Sequence, residues 1–215
     1  AKRNALVRRL PSVETLGCTT VICTDKTGTL TQNEMTVRSI WVNNRFIDVT
    51  GMGYRPDGNF EINHIKINPR DIPELITALK IGILCNSAEL HQTQDHLKSW
   101  DITGDPTEGA LLVVAGKANL FKHDLETVNP LLSEIPFDSE RKRMSMVRQT
   151  NKGLVLFIKG AADIMLAHAQ SILLNGKIEP LTIEHKKSVV DANAYLASQA
   201  LRILAVGYRP LLQET

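Results

Sequence analysis

The sequence predicts an α+β fold, with an antiparallel sheet flanked by helices, preceded by the opening strand of a parallel α/β sheet. Three observations carry this reading. Three strand-like runs, 131–138, 144–150 and 154–159, follow closely on one another, and Asn151-Lys152-Gly153 turns the last two into a hairpin. Two stretches, 71–90 and 183–199, repeat apolar residues at helical spacing. The short β-branched run Thr20-Val21-Ile22-Cys23-Thr24-Asp25 ends in a polar turn, the pattern of a buried parallel strand.

In chain order, residues 6–16 are mixed and interrupted by Pro11, and the predicted strand over 20–25 runs into the loop Lys26-Thr27-Gly28-Thr29. Residues 34–42 and 45–49 read as extended, and 50–59 as turn-rich because of their glycines and prolines. In 71–90 the apolar positions are Ile72, Leu75, Ile76, Leu79, Ile83 and Leu84. Gly104-Asp105-Pro106-Thr107-Glu108 is a helix start: Asp105 caps, Pro106 takes the first turn, and Glu108 closes a capping box. That helix is expected to run to about Gly116. Residues 161–170 read as helix, Asn175-Gly176 as a tight turn, and 201–208 as a final strand. No internal repeat or low-complexity tract occurs.

A chain of 215 residues holds one large domain, or a domain plus a piece of another. At 43% hydrophobic it can bury a core without disulfides or metals. The net charge is only +2, and no basic stripe with interleaved aromatics occurs, so no nucleic-acid partner is expected. The most basic stretch, 1–9, reads as a solvated helix end. Cys18, Cys23 and Cys85 contain no Cys-x-x-Cys pair, which points to free thiols in a reducing compartment. The six histidines are scattered, and His91 and His96 read as surface residues. The longest apolar runs, 110–115 and 154–158, fall far short of the roughly 18 residues that a membrane helix needs. No signal peptide or membrane span is expected, and a membrane parent would hold this segment on its cytosolic side.

The chemistry concentrates at Asp25, at the carboxyl end of the predicted parallel strand, where open α/β sheets place ligands. A carboxylate is ionised at neutral pH and can attack phosphorus without a base, giving an acyl phosphate. Lys26 would neutralise phosphoryl oxygens, Gly28 would let the backbone approach them, and Thr27 and Thr29 would add donors. An isolated Asp-Lys turn would say little, but the full run Asp25-Lys26-Thr27-Gly28-Thr29-Leu30-Thr31 is specific.

That run resembles the phosphorylation signature of P-type ATPases. Its lead-in, residues 10–17, resembles the segment that joins a transmembrane helix to the signature in calcium pumps of the sarcoplasmic-reticulum, secretory-pathway and bacterial kinds. Downstream, Phe137-Asp138-Ser139-Glu140-Arg141-Lys142-Arg143-Met144-Ser145 resembles the family's adenine-pocket segment, and Phe157-Ile158-Lys159-Gly160-Ala161 its Lys-Gly-Ala motif. Cys85-Asn86-Ser87, Gly104-Asp105-Pro106-Thr107-Glu108 and Leu201-Arg202-Ile203-Leu204-Ala205 complete the pattern, in order, across the chain. The resemblance implies a family nucleotide-binding domain over 39–209. A piece of a Rossmann-like, haloacid-dehalogenase-type phosphorylation domain would precede it over 1–38, and a return to that domain would begin over 210–215. ATP would be the ligand and Mg²⁺ the cofactor, held through Asp25 and Thr27 in the intact parent. Asp25 would accept the phosphoryl group, with Lys26 and Thr27 beside it. Phe137 would stack on adenine, a contact worth about 1–3 kcal/mol per base; the competing reading is a strand-core aromatic. Lys159, followed by Gly160, would lie deep near the base and Lys142 toward the phosphates, whereas a lone lysine is usually a solvated charge. Glu108 would bond near the base or hold Arg202, and Arg202 would approach the ribose or phosphates. Ser139 departs from the pattern, since many calcium pumps carry arginine there.

Thr103-Gly104-Asp105 spells the family's hinge motif but precedes a helix start, so it belongs to the nucleotide-domain pattern. Gly51-Met52-Gly53 lacks the context of a dinucleotide fingerprint, and no Walker A pattern occurs. The family's Asp-Pro-Pro-Arg-like segment, a second Thr-Gly-Asp and the Gly-Asp-Gly-x-Asn-Asp magnesium site do not occur before Thr215. The expectation is therefore a segment of a longer pump, not catalytically competent alone, whose partners are ATP and the pump's phosphorylation, actuator and transmembrane domains. The parent would be an integral membrane protein. A soluble haloacid-dehalogenase-like phosphohydrolase with a large cap remains an alternative, although Thr27 stands where such enzymes commonly carry a second acid. A non-catalytic nucleotide-sensing module is the third reading. Calcium is the favoured cation, with sodium, protons and manganese open.

Overall fold

The structure, a computed structural model, describes residues 17–26, 29–31, 34–93 and 99–211. The chain divides into two units, Ala1–Asn33 and Glu34–Thr215.

In the first unit the expected strand over 20–25 does not form: these residues have no regular secondary structure and are exposed. A parallel strand must satisfy its N–H and C=O groups on neighbouring strands. Among the described residues of this unit there is no other strand to supply them. The parallel, haloacid-dehalogenase-type part of the expected fold is therefore absent from the described residues. A turn does follow Asp25, in which the Lys26 carbonyl accepts from the backbone N–H groups of Leu30 (3.0 Å) and Thr31 (3.1 Å).

The second unit is mixed helix and sheet, and its sheets are antiparallel. In order it contains β1 (Ser39–Val42), β2 (Arg45–Val49), β3 (Phe60–Ile62), β4 (Ile65–Ile67), a 3₁₀ turn (Pro69–Asp71), α1 (Pro73–Leu84), β5 (Glu89–Gln92), β6 (Trp100–Thr103), α2 (Pro106–Lys117) and α3 (Lys122–Val128). There follow β7 (Leu131–Asp138), β8 (Arg143–Thr150), β9 (Gly153–Gly160), α4 (Ala162–His168), β10 (Ser171–Leu174), β11 (Lys177–Pro180), α5 (Ile183–Ser198) and β12 (Ala205–Pro210). β1 to β4 form a meander whose tight turns are Asn43-Asn44 and Asn63-His64. All four turn residues have positive φ, the backbone that such two-residue turns require and that asparagine tolerates. The second four-stranded sheet has the order β12-β9-β8-β7, which leaves β7 at an edge, exposed along its whole length.

α1 joins the two sheets because it is apolar on more than one side. Leu75, Leu79 and Ile83 pack with Ile47, Val49 and Phe60 of the meander and with Leu112 and Ala115 of α2. Ile81, Leu84 and the following Cys85 pack with Met144, Met146, Val155 and Phe157 of the second sheet. A helix covered in this way is a core element. Its C-terminus is fixed by Arg148, which is 1% exposed and donates from Nε to the Leu84 carbonyl (2.6 Å). The same guanidinium reaches the Asn129 carbonyl (3.1 Å) and Glu126 Oε1 (2.7 Å), so the buried charge is fully paired.

Several boundaries differ from the sequence reading, among them that of the extended run 34–42, which is strand only from Ser39. The helix expected over 71–90 stops at Leu84, because Asn86 Nδ2 donates to the Gly82 and Glu108 carbonyls and Asn86 Oδ1 accepts the Ala88 N–H. These bonds compete with further helix and free 89–92 to pair with 100–103. The last strand begins at Ala205, not 201, since Ala200 has positive φ and 201–204 are irregular. Residues 169–170 leave the α4 helix as the chain enters the β10–β11 hairpin, whose Asn175-Gly176 turn has positive φ at both residues.

Candidate nucleotide site

Strand register gathers the sequence-predicted residues at one end of the second sheet. Gly160 closes β9 and pairs with Arg143 at the start of β8 and with Ala205 at the start of β12. Asp138, the last residue of β7, also pairs with Arg143. One sheet end therefore carries Phe137, the Ser139–Lys142 turn, Lys159-Gly160 and the loop holding Arg202.

A bulge sets the position of Phe137. Ile135 pairs with Ser145 and Asp138 with Arg143, so Pro136 and Phe137 together oppose Met144. Met144 in turn pairs with Lys159, and Lys159 with Val206. Phe137 and Lys159 thus fall on one cross-strand row. Phe137 is 63% exposed on the edge strand, which an aromatic of the sheet core would not be. The turn that follows is fastened by the Asp138 carboxylate, which accepts the Glu140 (3.0 Å) and Arg141 (2.7 Å) N–H groups. Lys142 ends it with positive φ and an exposed side chain.

Gly160 is required by close approach. The Lys142 carbonyl accepts the Ala161 N–H at 3.0 Å. A Cβ on Gly160 would stand 2.6 Å from that carbonyl oxygen and 2.7 Å from Arg143 Cβ. The Lys-Gly-Ala segment thereby holds the β7–β8 turn against β9.

Lys159 and Glu108 form the inner part of the site. Lys159 continues the buried alternation Val155, Phe157, Lys159 on β9 and is only 6% exposed. Its ammonium meets Glu108 Oε1 at 2.5 Å. Glu108 Oε2 accepts the N–H groups of Ser87 (3.0 Å) and Ala88 (3.1 Å). Three of the roughly four acceptor positions of the carboxylate are thus taken. Asp105 caps α2 as expected, accepting the N–H groups of Thr107 (2.7 Å) and Glu108 (3.3 Å). Glu108, however, turns to Ser87, Ala88 and Lys159 instead of closing a capping box. Arg202 is exposed and bonded to Thr107 Oγ1 at 3.0 Å, so of the two expected roles of Glu108 the ion pair with Arg202 is not the one formed.

Electrostatics separates two groups here. Burial drives the Cys85 thiol up to about 11, against a smaller opposing effect of Lys159. Cys85 is accordingly a protonated core side chain, its Sγ 3.5 Å from the Met144 carbonyl. Burial also works to raise the Asp105 carboxyl, but the Thr107 and Glu108 bonds and the Arg202 charge outweigh it and hold Asp105 below the usual range. Sequence reasoning passed over Ser87 as a donor; its Oγ reaches Glu134 Oε1 at 3.0 Å and ties the edge strand to the loop after α1. Two cavities of about 270 Å³ lie elsewhere, one beside Glu74 and Asn175 and one beside Trp100 and Phe121, and neither is lined by the residues above.

Of the signature residues, Asp25 and Lys26 are exposed in the first unit, and Thr27 and Gly28 lie outside the described residues. Among the described residues no group of three or more His, Cys, Asp or Glu side chains is placed to hold a metal ion. No described helix is long and apolar enough to cross a membrane.

Comparison with known proteins gives the chain's family. The family described as "P-type ATPase, cytoplasmic domain N" matches residues 74–215. The chain is 39% identical over 211 residues to a calcium-transporting ATPase of Bacillus subtilis, covering 98% of this chain and 23% of the relative. It is 42% identical over 215 residues to the probable cation-transporting ATPase F of Mycobacterium tuberculosis, covering 96% and 22%. It is 37% identical over 212 residues to the cation-transporting ATPase pma1 of Synechocystis, covering 95% and 22%. The chain thus spans less than a quarter of the length of these relatives.

Proposed function

The chain belongs to the P-type ATPase cytoplasmic domain N family, and from that premise we propose that its second unit binds ATP at the β7–β8–β9 sheet end. The observation that carries this is the register that sets exposed Phe137 and buried Lys159 on one row, with Glu108 held beside Lys159. Phe137 offers an aromatic face to adenine. Glu108 has one acceptor position left, which suits the exocyclic amino group of adenine and opposes the carbonyl oxygen of guanine. Lys142 and Arg202, both exposed, attract the phosphates.

In the parent pump, a membrane protein holding this segment on its cytoplasmic side, an Asp25 carboxylate oxygen attacks the γ-phosphorus. The bridging P–O bond breaks, and its electron pair leaves on ADP. Lys26 offsets the oxygen charge as the bond forms. Mg²⁺ takes one or two protein carboxylates beside substrate phosphates. Asp25 and Thr27 would hold it in the parent, and the metal would supply charge neutralisation there. The aspartyl phosphate drives cation transport by the pump's other domains. Calcium is the favoured ion, on the lead-in at 10–17 and on the resemblance to pumps named for calcium.

Titration calorimetry on the chain tests this. We expect ATP and ADP to bind alike near the millimolar scale, about −4 kcal/mol, with GTP weaker and no sustained hydrolysis. Asp25→Asn is expected to leave the affinity unchanged, because the binding residues all lie in 34–215. Equal binding of GTP would overturn the adenine site. Sustained hydrolysis lost in Asp25→Asn would turn the reading to a stand-alone phosphohydrolase.

A further inference from the structure

The first turn of α2 holds two neighbouring side chains that point to different partners. Glu108 meets Lys159. Thr107 stands between residues from opposite ends of the second unit: its hydroxyl oxygen accepts from Arg202 Nη1 at 3.0 Å, and its proton is donated to Met35 Sδ at 3.4 Å. Met35 is the second residue of that unit, in the irregular stretch 34–38 that leads from the unit boundary into β1.

We propose that Thr107 is a relay, transmitting phosphate occupancy at Arg202 to Met35 and the 34–38 segment. The proposal rests on the ATP reading above and concerns how that site is reported to the rest of the chain. Arg202 is exposed; its hydrogen-bond partner is the Thr107 hydroxyl, and the Asp105 carboxylate next to that hydroxyl also feels its charge. A phosphate oxygen meets the guanidinium charge with a full opposite charge, where the hydroxyl offers only a dipole, so a bound phosphate draws the guanidinium away. While Arg202 donates to the hydroxyl it polarises the O–H group and strengthens the bond passed on to sulfur. Thioether sulfur is a weak acceptor, so the onward bond responds to the loss of that polarisation. Occupied phosphates therefore loosen Met35, and an empty site holds it. Thr107 is a positioning residue in this scheme and touches no part of the nucleotide.

Methyl NMR of the chain with ¹³C-methyl methionine tests the relay. Met144, on the row between Phe137 and Lys159, reports base binding, and Met35 reports the relay. ATP should shift both methyl signals. Adenosine, which has no phosphate, should shift Met144 alone. Thr107→Val should abolish the Met35 response to ATP while Met144 still shifts, and Thr107→Ser should restore it. A Met144 shift with an unmoved Met35 in the wild-type chain would overturn the relay, as would equal Met35 shifts with adenosine and ATP. Failure of Met144 to respond to ATP would instead overturn the nucleotide site beneath it. If Thr107→Val does not fold, the comparison of ATP with adenosine on the wild-type chain still decides.

Discussion

Replacing Lys159 with methionine separates what the ion pair does for the fold from what it does for the ligand. The side chains of Lys159 and Glu108 are 8% and 14% exposed. Removing one partner of a buried pair strands the other charge, at a cost of about 3–5 kcal/mol. Glu108 keeps its bonds from the Ser87 and Ala88 N–H groups, which places Lys159→Met near the low end, about 3 kcal/mol. For a unit of this size each kcal/mol lowers the thermal midpoint by about 2–4 °C, so the expected fall is roughly 6–12 °C. The unit should remain folded at room temperature, since domains of this kind have about 5–15 kcal/mol of stability. Adding Glu108→Gln removes the stranded charge and should recover most of the midpoint, because two neutral groups of similar shape are tolerated where a lone charge is not. ATP affinity should stay low in the double variant, since neither the cation nor the carboxylate is restored. Differential scanning fluorimetry gives the midpoints and calorimetry the affinities. A Lys159→Met midpoint equal to wild type would refute the claim that this pair is buried and coupled. Full recovery of ATP binding in the double variant would show that Lys159 serves only to neutralise Glu108.

Other substitutions and reagents probe separate links. Gly160→Ala would drive Cβ into the Lys142 carbonyl and Arg143, an overpacking cost of about 1–3 kcal/mol. Gly207→Ala meets the flexible end of Met165 at 3.2 Å and Ile158 Cγ2 at an ordinary contact of 3.5 Å, and should cost well under that in the same melting assay. Asp105→Ala should lower stability by about 1 kcal/mol through loss of the N-cap. Because the folded-state carboxyl of Asp105 is held below its ordinary value, its contribution is present above the unfolded value of about 3.9 and is lost as pH falls through the folded one. Asp105→Asn, which still caps, should flatten that acid-side loss in urea titrations run at a series of pH values. Of the three thiols, exposed Cys18 and Cys23 should react with a disulfide reagent in the native chain, and Cys85, buried and raised to about 11, only after unfolding.

Much of the second unit could be read from local chemistry. The Asp105 cap with Pro106 at the first turn, the Asn175-Gly176 turn and the Asn151-Lys152-Gly153 hairpin all depend on residues adjacent in sequence, and each lies where the pattern put it. What escaped depends on partners far along the chain. Asn86 ends α1 by bonding the Glu108 carbonyl, 22 residues on, and nothing within 71–90 announces that. Nothing local in the sequence marks Arg148 for burial, which follows only once the Leu84 and Asn129 carbonyls and Glu126 converge on it. The expected parallel strand over 20–25 had the right local composition but no neighbour among the described residues of its unit.

The site shows the same division. The identities of Phe137, Lys159 and Gly160 were legible as motif residues, but what brings them together was not, because it lies in register. A strict two-residue alternation along β7 would set Pro136 alone opposite Met144 and turn Phe137 to the other face. The extra residue in β7 brings Phe137 onto the Met144–Lys159 row. Pro136 marks β7 as an edge or bulged strand, but the sequence does not say which residue the irregularity displaces, and that decides whether the aromatic ring and the lysine fall on one row. Glu108 enters the same row only through Lys159, from a helix 51 residues away in sequence. The proposed site therefore depends on one irregularity in a strand and one long-range ion pair, and substitutions that shift the register of β7 should disable nucleotide binding while leaving every motif residue in place.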